Sequence, residues 1–348
     1  MSSPQHRQVE PAGILPGWLG GVWPPAGLLL ALVMGSFLVG EYPISPTDLI
    51  TVVYARLGGG YHGLPGVIET ALWSRLPRVA AAVLVGAALA AAGATYQGIF
   101  RNPLASPDIL GVSGGAGLGA TIGILLSLPP LAIQLMAFVF GLGTLLVVYL
   151  IKQAVRSHDP IFVLVLAGVV MGALAGACIS LLQLLADPYG HFPALTFWLL
   201  GSLAAVTLSD ITAIVPLIFI GLVPLYLLRR RMNLVSSGTE ETHVIGGDML
   251  KMRVLFICTA TLMTAAAVSI SGIIGWVGLM IPHIARMLVG SSFPRLLSVS
   301  IMLGASYLLA VDDLARTATV IEIPLGFLTA VFGAPFFLWL LVKTRRGW

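Results

Sequence analysis

The sequence predicts an all-α polytopic membrane protein with ten transmembrane helices, read as one domain over residues 1–348. Three observations predict it. Hydrophobic residues make up 58% of the chain and charged residues only 9%, with a mean hydropathy of +1.00. Soluble domains carry about 25% charged residues, so this composition cannot clothe a water-exposed surface. Apolar runs of the roughly 17–25 residues that cross a bilayer recur along the chain, and the basic residues sort to one side of them.

Ten runs qualify: 21–40, 78–99, 109–128, 131–151, 161–185, 209–228, 252–271, 273–290, 297–312 and 324–343. The opening Met1–Pro25 has no early apolar core, and the first run lacks a small-residue cleavage site, so it reads as a retained span. The second and third runs are joined by Gln97–Gly115. There Asn102-Pro103 and Ser106-Pro107 break the helix, because proline lacks a donor and restricts the residue before it. Such a turn between two spans belongs at the membrane surface or in a protein-lined cavity.

In the fifth run Gly168, Gly172, Gly176 and Ser180 recur every fourth position and share one helix face. That face allows either close backbone packing or passage of a wide solute. Pro193–Thr207 is apolar but short and predicts a partly inserted helix on the outer side. The second run with its turn is echoed by the seventh and eighth, through Ser271–His283, which predicts two halves with weak inverted-repeat character. Between the sixth and seventh runs, Ser237-Gly-Thr-Glu240 matches a capping box, and Gly246-Gly247 supplies a left-handed stop. The product is a short helix outside the bilayer, either a connector or an element that docks into a partner.

Ten spans put both termini on one face. With that face inside, it collects Arg7, Arg101, Lys152, Arg156, Arg229, Arg230, Arg231, Lys251, Arg253, Arg286, Arg295, Lys343, Arg345 and Arg346. The outer face keeps Arg56, Arg75, Arg78 and Arg316 of the 18 basic residues. The asymmetry follows the positive-inside rule and places both termini in the cytoplasm. The four outer arginines read either as interfacial snorkels or as a contact surface.

Several chemistries are excluded. No lysine among Lys152, Lys251 and Lys343 follows a glycine, so the chain has no phosphate-binding loop and any ATP must be held by another polypeptide. The six histidines are dispersed without metal-ligand spacing. His283, after Pro282, reads as a satisfied structural histidine. Cys178 and Cys258 lie in apolar runs and read as buried small hydrophobes rather than a disulfide or metal pair. Acids and bases within the spans lie only near their ends, which argues against an ion-coupled carrier, since these keep a charge deep in the membrane. No feature points to a nucleic-acid partner.

The residues at this point resemble the permease subunits of type II ATP-binding-cassette importers for iron complexes (haem or ferric siderophore) and cobalamin. The segments that carry the resemblance are Arg75-Leu-Pro-Arg78, Val85–Gly93, Gln97–Ser113, Leu166–Val169, Phe197–Gly201, Gly272–Arg286, Glu322–Gly326 and Gly333–Phe336, in the same order. The resemblance implies a pore-forming, non-enzymatic subunit of the bacterial inner membrane. It pairs with a second copy of itself, two cytoplasmic ATPases that hold ATP and Mg, and a periplasmic binding protein; no cofactor is bound by this chain.

It further implies that the fifth span lines the pathway through Gly168, Met171, Gly172, Ala175 and Gly176. The tenth span joins it through Pro324, Gly326 and Gly333. His158, Asp159 and Pro160 occupy the place of the cytoplasmic gate, without the small hydroxyl residues of some relatives. Residues 230–250 form the cytoplasmic coupling segment, with Ser237, Gly238, Glu240, Glu241 and Gly246 meeting the ATPase. Arg56, Arg75 and Arg316 sit where relatives present arginines to the binding protein. The uncharged wall of Gly, Ala, Met and Leu favours haem as cargo, then a ferric siderophore, then cobalamin.

Overall fold

The computed structural model describes residues 21–40, 44–56, 66–155, 160–237, 246–319 and 321–344. The secondary structure among these residues is helical throughout: α1 (Trp23–Leu38), α2 (Pro46–Arg56), α3 (Gly66–Phe100), α4 (Val112–Leu125), α5 (Pro130–Ala154), α6 (Pro160–Leu185) and α7 (His191–Leu199). There follow α8 (Leu208–Leu227), α9 (Arg229–Ser237), α10 (Gly246–Ser271), α11 (Val277–Val289), α12 (Phe293–Thr317) and α13 (Leu325–Thr344).

Six of these helices are long and apolar enough to cross a membrane, and four shorter ones, α1, α4, α11 and α13, are apolar as well. These ten correspond one for one, in order, to the ten predicted spans. The starts follow local rules. Prolines open α1, α5 and α12, where the missing donor costs nothing. Thr207 and Asp210 cap α8 reciprocally, with Asp210 accepting from the Thr207 amide at 2.8 Å. Pro77, Pro216, Pro224, Pro282 and Pro335 sit inside helices, as membrane helices tolerate where neighbours satisfy the freed carbonyls.

The core is organised around α3. In its most apolar stretch 78% of residues are buried, against 17% for α5, so α3 is a central post and α5 a peripheral one. The alanine run explains this: Ala81, Ala82, Ala88, Ala90, Ala91, Ala92 and Ala94 are all buried, and a helix apolar on every side is stable only when surrounded. Small residues then let backbones touch. A Cβ on Gly93 would collide with the Gly278 carbonyl of α11, and one on Gly86 with the Gly304 carbonyl of α12. Polar clasps register the contacts, Tyr96 with Thr261 at 2.5 Å and Gln97 Nε2 donating to the Leu279 carbonyl at 3.0 Å. A second glycine seam joins α4 to α5, where Cβ atoms on Gly115 and Gly119 would strike Thr144 and the Met136 carbonyl. The α3–turn–α4 and α10–break–α11 segments share one plan: a buried helix, a break with positive-φ glycine, then a short helix.

Several expectations need correction. The helix predicted from 78 begins at Gly66 and runs through Pro77. Ser237 is the last residue of α9 rather than an N-cap, and Gly246-Gly247 begin α10 rather than stop a helix; flanking helical turns outweigh the local motif. The helix expected between them lies outside the described residues. The short outer segment is helical only over α7, His191–Leu199. Cys178 is half-buried and Cys258 exposed, since a membrane protein presents apolar residues outward. His283 Nδ1 is buried with no hydrogen-bond partner, and the ring stands edge-on to Phe336.

Candidate functional site: a small-residue wall and the clasps that place it

Three helix termini meet at one point, the ends of α7 and α10 and the start of α13. Past the end of α7 the chain turns at Gly201 (φ 76°), and past α10 at Gly272 (φ 67°). Both positions favour glycine because a Cβ is strained there. A Cβ on Gly272 would also meet the Trp198 carbonyl. The Ser202 amide donates to Ser271, and the Leu325 and Gly326 amides, at the start of α13, donate to Gly201 and Leu200, each at 2.9 Å. Backbone groups that leave helices are thus satisfied inside the protein, the condition for irregular chain in a bilayer. Beside this knot lies a cavity of about 480 Å³ edged by Gln134, Thr207, Asp210, Ser269 and Ser271; Gln134 Nε2 donates to Asp210 at 2.9 Å.

The knot sets α6 and α13 on either side of Ile273, which touches the space beside Gly117 together with Ile179 of α6, and the space beside Gly326 of α13. The glycines predicted for the wall divide into inward and outward members. Gly168 is buried against Ile109 and Leu110, Gly172 lies on Gly111, and Ala175 is buried beside Gly114. Met171 is half-buried on the main core. Gly176 alone of the three glycines has nothing within 4 Å of a Cβ position, and it is exposed along with Ala173, Ala177 and Ser180. The four-residue stripe therefore fastens α6 to the proline turn at one end and opens outward at the other.

On α13, Pro324 is half-buried and its carbonyl accepts from Leu328 at 3.3 Å. Gly326 packs on the Leu200 carbonyl and Gly333 on the Trp276 ring. The outward face is instead Phe327, Val331 and Phe332. Trp276, with φ 70° and its ring 5.9 Å from Phe337, is a positioning residue that sequence reasoning missed; nothing local marks it.

The proline turn behaves as its sequence requires. Ala105, Pro107 and Leu110 are buried while Asn102, Pro103 and Leu104 are exposed. Asn102 folds the corner by accepting from the Leu104 amide at 2.9 Å through its side chain and from Ala105 at 3.0 Å through its carbonyl. Ser113 Oγ donates to Asp108.

The outer charges are organised inside the chain. Arg78 donates to both carboxylate oxygens of Asp312, at 2.9 and 3.0 Å, and to Glu322 at 2.5 Å. Arg316 donates to Asp313 at 2.5 Å and to the Ser36 carbonyl at 2.6 Å, and Arg75 to the Phe37 carbonyl at 2.6 Å. The outer arginines are thus engaged within the chain: Arg75 is buried, Arg316 half-buried, and both tie α1 to α3 and α12. Of Arg56 the structure fixes the backbone, as the last residue of α2. His158, Asp159, Gly238, Glu240 and Glu241 lie outside the described residues; Pro160, Ser237 and Gly246 are helix termini.

Apolar helices of membrane-spanning length whose irregular ends are tied to one another define a multi-pass membrane protein. The chain belongs to the FecCD transport family, whose profile matches residues 28–343. It is 36% identical over 325 residues to the molybdate import system permease protein MolB of Haemophilus influenzae, covering 92% of this chain and 96% of that one. It is 39% identical to the cobalamin import system permease protein BtuC of Halobacterium salinarum (85% and 79% covered). To the hemin transport system permease protein HmuU of Yersinia pestis the identity is 36% (86% and 95% covered). A solved inward-facing metal-chelate type ABC transporter superposes with a TM-score of 0.83 at 34% identity, over 92% of this chain and 98% of that one. The chain is a permease of an ABC importer of this family. The substrates named for its relatives differ, so likeness does not single out a cargo.

Proposed function

We propose that two copies of this chain form the pathway of an ATP-driven importer in the bacterial inner membrane, with α6 and α13 of each facing the centre. The reading rests on the unpartnered, uncharged face of Ala173, Gly176, Ala177 and Ser180 on α6. Where peripheral α5 exposes Leu131, Leu135, Val139 and Leu146, α6 sets these small residues among its exposed Val169, Val170, Leu174 and Leu181, leaving a stripe that a second helix or a wide solute can approach. Two cytoplasmic ATPases hold ATP and Mg and grip the Ser237–Gly246 segment through Gly238, Glu240 and Glu241; this chain binds no cofactor. ATP binds the closed ATPase pair better than the open one, and that difference shifts the population of inward- and outward-facing states. His158, Asp159 and Pro160, at the head of α6, form the inner gate. A periplasmic binding protein docks on the outer face that carries Arg56, where Arg75 and Arg316 hold the end of α1.

The cargo we assign is a bulky metal chelate, haem first, then a ferric siderophore, then cobalamin, because a wall of Val, Ala, Gly and Phe without fixed charge suits passage of a large apolar ring without tight binding. Uptake by the reconstituted permease–ATPase complex with its binding protein tests this. Hemin is expected to accumulate in preference to cobalamin and molybdate. Accumulation of either of those without hemin would overturn the cargo assignment and leave the importer reading standing.

A further inference from the structure

Between α5 and α10, at the ends that carry Lys152 and Arg253, the helices part over a cavity of about 370 Å³. Phe100, at the end of α3, closes one side, and Leu142, Leu145 and Leu146 form much of the wall. Leu146 is 57% exposed, so the crevice opens sideways from the bundle rather than into it. Among the described residues no acidic one lines it, yet two cations do. Arg253 Nε is buried with no hydrogen-bond partner, an omission that costs free energy unless something outside the chain meets it. Lys152 Nζ lies over the Tyr149 ring, 5.6 Å from its centre, which keeps the ammonium at the rim. Both cations belong to the set that charge asymmetry puts on the inner face.

Apolar walls below and two cations above, with no carboxylate partner among the described residues, match the two halves of one class of molecule. Free phosphate would satisfy the cations but leave the leucine wall uncovered. A zwitterionic lipid would cover the wall but bring its own cation to Arg253. We propose that the crevice binds one anionic glycerophospholipid of the inner leaflet, with its phosphate at Arg253 and Lys152 and an acyl chain along Leu142, Leu145 and Leu146. Basic pockets between membrane helices on the cytoplasmic side take anionic headgroups in this way. The lipid bridges α5 and the first turns of α10, the helix that follows the proposed coupling segment.

The test is native mass spectrometry of the purified, delipidated full-length protein titrated with phosphatidylglycerol, phosphatidylcholine or inorganic phosphate. One phosphatidylglycerol should be retained in preference to phosphatidylcholine. Arg253→Gln and Lys152→Gln should each weaken that retention about fivefold, as the loss of one basic contact predicts, and leave phosphatidylcholine unchanged. Leu146→Trp, which fills the crevice with both charges intact, should lower phosphatidylglycerol retention as well. Equal retention of the two lipids, indifference to all three substitutions, or displacement of the lipid by millimolar phosphate would overturn the proposal. The readout is independent of transport, so it stands or falls apart from the importer reading.

Discussion

Replacing Arg78 with leucine removes the cation that two carboxylates share. Asp312 has a side chain only 1% exposed and receives three of the Arg78 bonds; without them it is a buried carboxylate that has lost its cation from α3. Breaking a buried pair from one side costs about 3–5 kcal/mol, whereas replacing both members by apolar groups is often close to neutral. Glu322, about a third exposed, adds roughly 0–1 kcal/mol, as screened pairs do. Arg78→Leu and Asp312→Leu should therefore each lose about 3–5 kcal/mol, and the double variant should lose much less than their sum, by about 2 kcal/mol or more. Equilibrium unfolding in mixed SDS and dodecylmaltoside micelles, followed by tryptophan fluorescence, measures all three. If Arg78→Leu stays within about 0.5 kcal/mol of the parent, or the two losses simply add, the clasp does not hold α3 to α12.

Glycines that face backbone and glycines that face space should respond oppositely. Gly93→Leu, aimed at the Gly278 carbonyl, should lose about 1–3 kcal/mol or more by overpacking and fail to yield monodisperse protein on size exclusion. Gly176→Leu, with open space at its Cβ, should fold and elute normally yet cut uptake in proteoliposomes. Gly272→Ala, at φ 67°, should cost more than the about 1–2 kcal/mol of left-handed strain, because its Cβ also meets the Trp198 carbonyl; the same micelle titration reads it. Arg substitutions at Glu240 and Glu241 should abolish ATP hydrolysis stimulated by the binding protein while leaving the permease folded; unchanged hydrolysis would remove the coupling role.

The spans were legible because crossing a bilayer demands a long apolar stretch, and that demand is local. α2 and the start of α3 were not, because residues 46–56 and 66–77 mix Asp48, Glu69 and Arg75 with apolar side chains and lie beyond the run a hydropathy window finds. The Arg75-Leu-Pro-Arg78 motif could be seen, but not its use: the partner of Arg78 lies 234 residues away, and no spacing rule reaches that far. Likewise the Gly168–Gly176 period identified a special face of α6 without revealing that half of it is spent on the turn at Pro107–Leu110. The Ser237 and Gly246 motifs misled because a serine can end one helix as well as cap the next, and flanking context decides.

The central claim is that this chain is a conduit moved by a separate ATPase. It is tested most directly by loading liposomes with the permease alone and with the permease–ATPase complex, and measuring cargo accumulated against a gradient. The account predicts accumulation only with the complex, internal ATP and binding protein. Concentrative uptake by the permease alone, driven by a proton or sodium gradient, would contradict it.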